Sequence, residues 1–321
     1  MKNRVEWIDG LKGILMIFVI WGHFFPPENI GIWIYSFHMP TFFIISGYLR
    51  KDRNFAETLK KKSISLLLPY IVTAIISFIL GIFIYKGMGM NISLNEMISD
   101  FFYLNGSVGW NSPIWFLIVL FELDVFYCMV KKVHQQVILI IFALVLGYFI
   151  YVNNIVLPFG LHVFVWASVF YTFGLLMKNT NFKLSKNQVL NWVLFALTLI
   201  LNFVFDNFQY EITAMYHSQL GIYWIFYVNG IITSYMIIAI FKFMKVNNRF
   251  LNLFSRYSLQ IMCTHYMFYM FYRILDKLFF KHYLLSYQLV PSLLNLCFCL
   301  LAYTMIYKMY NIFKKKQLVL S

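Results

Sequence analysis

Apolar residues in this chain come in long runs separated by short polar tracts. The runs do not alternate with the period of two that marks a barrel strand, so each reads as a helix. A helix needs roughly 20 residues to cross a bilayer. By that measure ten runs qualify: about 11–26, 31–49, 64–85, 113–130, 137–153, 155–177, 189–207, 219–241, 257–274 and 288–310. Only "NN" separates the fifth from the sixth, which predicts a tight hairpin. The first run leads directly into more of the same kind, so no cleaved signal segment is expected. The expected fold is an all-α polytopic integral membrane protein of about ten transmembrane helices, a single transmembrane domain over residues 1–321. The longest stretch outside the spans, 86–113, carries Gly, Asn and Pro turn signals around a short apolar piece. It reads as a partly structured loop over the outer mouth.

Composition agrees with this pattern. The chain is 61% hydrophobic and only 12% charged, with a mean hydropathy of +0.72; soluble domains average about 25% charged residues. The formal charge of +14 raises the question of nucleic acid, and its distribution answers it. All but four of the 26 Lys and Arg fall in tracts that occupy alternate loops, as the positive-inside rule predicts. The charge therefore reports topology, with both termini cytoplasmic, and no nucleic-acid partner is expected. The cysteines (Cys128, Cys263, Cys297, Cys299) sit within apolar runs and read as small buried hydrophobes. Neither a disulfide framework nor a metal site is expected. There is no Walker-type or GxGxxG loop.

Ten spans suit a carrier, a channel subunit or a membrane enzyme, so polar groups inside the spans carry the argument. The first span holds Lys12 and His23, eleven residues apart. At about 100° per residue these project from one helix face, roughly 16 Å apart along the axis. Asp9 reads as the local ion-pair partner of Lys12. The second span runs back with His38 twelve residues before Arg50, which sets the two histidines at nearly equal depth. Pro40 is expected to loosen or kink that helix, and Ser46 with Gly47 offers a small-residue patch for close helix contact. Arg50, Lys51, Arg53 and Lys60 to Lys62 form a dense basic segment. It reads either as a topology determinant or as a seat for a polyanionic cofactor. Glu122 and Asp124 lie about 200° apart around the fourth span, so only one reaches a shared cavity, and Glu122 is preferred because it falls on the face of Trp115. His162, Asp206 and Asn229 read as structural or mouth-lining groups.

The segments "IDGLKGILMIFVIWGH", "FHMPTFFIISGYL" followed by "RKDR", "PIWFL" and "YSLQIMCTH" together resemble the type 3 membrane acyltransferase family, the O-acyltransferases of bacterial surface polysaccharides. The resemblance runs in order over essentially the whole chain. This sequence has Lys12 where arginine is the commoner choice, and its "RKDR" is more widely spaced than the arginine pair of some members. The likeness implies transfer of an acyl group, most often acetyl, from acyl-CoA to a hydroxyl of a polysaccharide or lipid-linked sugar, in a bacterial inner membrane. It matches His265 to the family's late histidine.

Such chemistry needs a base for the alcohol and stabilisation of the thioester oxyanion. His23 is assigned as general base, with His38 orienting it or binding substrate, and Glu122 and His265 as further catalytic candidates. Lys12, Arg50 and Arg53 are assigned to the phosphates of acetyl-CoA. An acyl-histidine on His23 is an equally drawable variant. The competing class is a proton-coupled glycan or small-molecule exporter with His23, His38, Glu122 and His265 as a relay.

Overall fold

The structure is a computed structural model and describes residues 6–87, 93–179, 188–208, 212–245, 248–280 and 286–320. Lys2, Arg4, Asn91, Lys183, Lys186 and Lys281 lie outside the described residues, as do the side chains of Asp206 and of Lys314 to Lys316. In chain order the helices are α1 (Glu6–Gly22), α2 (Glu28–Tyr48), α3 (Phe55–Lys62), α4 (Leu68–Gly87), α5 (Leu94–Phe101), α6 (Trp115–Tyr127) and α7 (Val133–Val152). They continue as α8 (Leu161–Asn179), α9 (Gln188–Phe208), α10 (Tyr223–Met244), α11 (Arg249–Arg256), α12 (Ser258–Leu275) and α13 (Leu289–Leu320). Among the described residues the only strand-like pairing is an isolated bridge between Ala214 and Gln219.

Among the described residues, six stretches are long and apolar enough to cross a membrane: Glu28–Tyr48, Phe55–Lys86, Val133–Val152, Pro158–Lys178, Tyr223–Met244 and Leu289–Asn311. The chain is thus a multi-pass, all-helical membrane protein. The other four predicted spans fall on α1, α6, α9 and α12. Helices α1 and α6 have 17 and 13 residues, rising only about 26 and 20 Å against a hydrocarbon core of about 30 Å. Pro26 and Pro27 stop α1, because the residue before a proline is pushed out of the helical region; Pro113 opens the turn that leads into α6.

The residues gather into two compact units, a terminal unit (Met1–Ile34 with Met244–Ser321) and a central unit (Tyr35–Phe243). In the terminal unit α1 packs against α11, α12 and α13. Ser255 donates to Asp9 Oδ1 at 3.1 Å, and a Cβ on Gly13 would collide with the Leu251 carbonyl. These two contacts pair residues four apart on each helix in opposite order, so α1 and α11 run antiparallel with their backbones touching at Gly13. Beyond them α12 and α13 are joined by the stacked rings of Tyr257 and Tyr307, 3.7 Å apart, and by the Thr264–Tyr303 hydroxyl pair at 2.7 Å. Of the cysteines, Cys128, Cys263 and Cys299 are buried as expected; Cys297 is exposed on α13, a correction to the reading of all four as buried.

In the central unit the small-residue patch of α2 meets α8. A Cβ on Gly47 would overlap the Tyr171 carbonyl, and one on Gly174 would overlap the Ile44 carbonyl. The helices therefore cross antiparallel with backbone against backbone, the approach that small residues permit between membrane helices. Helix α2 continues through Pro40, whose ring sits against Gly230 of α10. Thr41 donates to Ser234 of α10 at 2.8 Å. Between α9 and α10, Asn202 donates to Asn229 Oδ1 at 2.6 Å and to Thr233 Oγ1 at 2.8 Å.

One expectation about a connection is corrected. The α7–α8 link is not two residues but spans 153–160. Asn154 takes a left-handed φ of 51°, and the amides of Ile155 and Asn154 return to the carbonyls of Ile150 and Tyr151. That is the Schellman closure of a helix end, and the chain needs Pro158–Gly160 as a further turn before α8. The segment after α4 is partly structured, as expected. Ser93 and Glu96 form a capping box that starts α5. From there the chain folds back along α4: Tyr70 donates to the Phe101 carbonyl at 3.4 Å, Trp110 to the Ser77 carbonyl at 2.8 Å and Asn111 to Ser77 Oγ at 3.0 Å. This segment, re-entrant in the sense that it turns back onto α4, finds hydrogen-bond partners there. Its far end is pinned by the Phe159 amide on the Tyr103 carbonyl and the Val108 amide on the Tyr216 hydroxyl, both at 2.7 Å.

Candidate active site

In the terminal unit His23 lies in the turn that follows α1, not inside a helix as the sequence predicts. Its amide donates to the Ile20 carbonyl at 3.2 Å, a tightened last turn, and Phe25 two residues later has a φ of 50°. The ring folds back on the helix so that Nδ1 lies 2.7 Å from the Val19 carbonyl. His265, on α12 and fully buried, makes the same local bond, Nδ1 to the Ile261 carbonyl at 2.8 Å. The two rings meet, with His265 Nε2 3.3 Å from His23 Nδ1 and centroids 5.0 Å apart. Tyr266 closes the other side, edge-on to His23 at 5.3 Å.

These contacts assign the protons. A carbonyl can only accept, so each Nδ1 facing one carries hydrogen. His265 Nε2 is then a lone pair, placed to share the His23 Nδ1–H with Val19. In neutral His23 the lone pair is at Nε2, the ring nitrogen turned away from both acceptors. The pair is thus pre-organised: one histidine is held in a single tautomer by a carbonyl and a second histidine. Lys12 is half-buried on α1, eleven residues earlier, on the helix that Gly13 brings against α11. His38 belongs to the central unit, where it is buried with Tyr35 edge-on at 4.9 Å.

In the central unit the basic segment is sorted by its partners. The Arg50 side chain is 7% exposed and faces Asp52 through Nη1 at 3.8 Å, while its buried Nη2 has no hydrogen-bond partner among the described residues. The Arg50 carbonyl accepts from Lys178 at 2.7 Å, which ties the α2 exit to the end of α8. Arg53 is engaged with Glu57 at 3.0 Å, on the first turn of α3 that Asn54 caps. Lys62 reaches Asp124 Oδ2 at 2.6 Å, and Tyr171 donates to Asp124 Oδ1 at 2.7 Å. A buried guanidinium nitrogen left without an acceptor is costly and suits an anionic oxygen, phosphate above all. Arg50 therefore fits the phosphate role better than Arg53.

The helical argument for α6 holds: Asp124 points to Lys62 and Tyr171, while Glu122 points elsewhere, into an apolar cavity with its Oε2 buried and without a partner among the described residues. His162 is buried beside Trp166, ring centroids 5.4 Å apart, with Nδ1 at 3.2 Å from the Leu157 backbone, and Asn229 belongs to the α9–α10 cluster. Two features were not read from the sequence: the His23–His265 contact and the Lys62–Asp124–Tyr171 group; for Glu122 a cavity was expected, but not its walls. The Nδ1 bonds to residues four positions back were legible in principle, since a helical histidine reaches that carbonyl. The others depend on which distant helices meet.

Fold and site together define a multi-pass membrane protein with a fixed histidine pair in one unit and a buried, under-satisfied arginine in the other. The chain belongs to the type 3 acyltransferase family, whose acyltransferase-domain model matches residues 5–309. No curated protein and no solved structure matched the chain.

Proposed function

We propose that the protein transfers a short acyl group, acetyl or succinyl, from acyl-CoA to a hydroxyl of a cell-surface polysaccharide or its lipid-linked precursor, in a bacterial inner membrane. Its topology in this reading has about ten membrane segments and both termini cytoplasmic. The observation that carries the chemistry is the His23–His265 pair. With Nδ1–H held by Val19 and His265, Nε2 is the acceptor for the sugar hydroxyl proton. The imidazolium that forms keeps both Nδ1 contacts. His23 is the general base in this reading and His265 a positioning residue. Acyl-CoA supplies an activated thioester; Lys12, in the same unit as His23, is a cation for one of its phosphates, and Arg50, in the central unit, is a separate phosphate candidate.

The test is purified protein in nanodiscs with radiolabelled acetyl-CoA and an envelope glycan acceptor. His23→Ala is expected to lower transfer by about 10²- to 10⁴-fold. His265→Ala is expected to lower kcat while leaving KM for acetyl-CoA unchanged. Near-normal transfer by His23→Ala refutes the assignment. Label that never leaves CoA, with glycan export lost in the same variant, favours the exporter.

A further inference from the structure

The cavity beside Glu122 has a volume of about 390 Å³, within the 300–1,000 Å³ typical of small-molecule pockets. It lies wholly in the central unit, between α4, the re-entrant segment and α6. Its walls are almost entirely apolar, with Ile118, Phe121, Phe101 and Ala74 among them, and the polar exceptions are Tyr70 and Glu122. Tyr70 is engaged with the Phe101 carbonyl. The Glu122 Oε2, in contrast, has no hydrogen-bond partner among the described residues, and an acceptor buried that way asks for a donor.

The rim shows what reaches it. Ile71, Phe102 and Phe159 line the cavity and are also 39%, 51% and 44% exposed, so they form its mouth. Ile71 sits in the Phe55–Lys86 stretch, which is apolar enough to cross a membrane. Its exposed neighbours are Leu68, Val72, Ile75, Ile76 and Ile79. That face is built for hydrocarbon, and the mouth opens onto it. We propose that the cavity takes the hydrocarbon chain of a bilayer amphiphile, entering sideways between α4 and the re-entrant segment, with a hydroxyl of the amphiphile donating to Glu122. The inference is independent of the chemistry assigned to His23.

The experiment uses the full chain in nanodiscs and a long-chain primary alcohol carrying a diazirine in mid-chain. A second probe of equal length lacks the hydroxyl. After photolysis, the alcohol is expected to label the 67–74 and 101–102 peptides in a manner that excess unlabelled alcohol suppresses. Helix α7, whose outer face is bare to lipid, is expected to take only unsuppressed background. Ala74→Phe, which fills the chamber, is expected to remove the suppressible label. Glu122→Leu is expected to erase the preference for the alcohol over the hydroxyl-free probe, about threefold to tenfold for one hydrogen bond. Competition on the unsubstituted protein decides the matter even where a variant fails to fold. Labelling that is uniform over the apolar helices and does not saturate overturns the proposal, as does equal labelling by the two probes before any substitution.

Discussion

Removing one member of the Lys62–Asp124–Tyr171 group gives a sharp test of how the central unit is held. The perturbation is Lys62→Met, close to isosteric along the chain but without the ammonium. Asp124 is 5% exposed and Lys62 25% exposed, with 2.6 Å between their charged atoms. Stranding one charge of a fully buried pair costs about 3–5 kcal/mol. The partial exposure of Lys62 lowers that, and the Tyr171 hydroxyl at 2.7 Å continues to serve one carboxylate oxygen. About 2–3 kcal/mol is the expected loss, or roughly 4–12 °C in melting temperature for a unit of this size. The double variant Lys62→Met with Asp124→Leu removes the stranded charge as well, and is expected to recover at least half of the loss, because apolar replacement of a buried pair is often neutral. The assay is a thermal-melting double-mutant cycle in one detergent. If the two substitutions simply add, or if Lys62→Met melts with the unsubstituted protein, the pair contributes nothing and the reasoning fails.

Three further outcomes are expected. Gly47→Ala and Gly174→Ala each place a methyl on a facing backbone carbonyl, an overpacking that costs about 1–3 kcal/mol; melting temperatures within a degree of the parent contradict the backbone contact of α2 with α8. Arg50→Ala is expected to raise KM for acetyl-CoA about tenfold or more, the value of a charge-assisted hydrogen bond, with Arg53→Ala changing it less; equal effects in a kinetic comparison remove the distinction between them. Burial raises the Asp100 carboxyl above its ordinary range, opposed by the Ser107 hydrogen bond and assisted by Glu96. The folded state therefore holds the proton to higher pH than the unfolded chain, so stability falls as pH rises from the unfolded value through the folded one. Asp100→Asn is expected to flatten that decline in melting curves taken from pH 4 to pH 8.

The sequence made local matters legible and left cross-chain ones dark. Helical character and the six stretches long and apolar enough to cross a membrane follow from run length and apolarity, properties of contiguous residues. The opposed directions of Glu122 and Asp124 follow from 100° per residue, and Gly47 was marked as a contact point. Its partner Gly174 was not, because nothing in either segment names the other. The sequence placed His23 inside the first helix, whereas α1 ends at Gly22 and His23 lies in the turn beyond it. His265, whose ring meets that of His23, comes from 242 positions further along the chain. The α7–α8 link was misjudged because apolarity continues through 155–157 while the backbone there is already turning.

The π-helical segment Ser63–Leu67 has a consequence for length variation. A π turn holds one residue more than an α turn, and such bulges recur at functional sites. Here it separates Lys62, directed at Asp124, from Tyr70 and Ile71, directed at the cavity. Because the turn absorbs its extra residue locally, deleting one residue of Ser63–Leu67 would restore a regular α-helix and leave α3 and α4 in nearly the same register. The same deletion within α4 would swing α3 by about 100° about the axis, carrying the ammonium away from its carboxylate. These five positions are thus where the span can lose a residue and keep both of its directed faces.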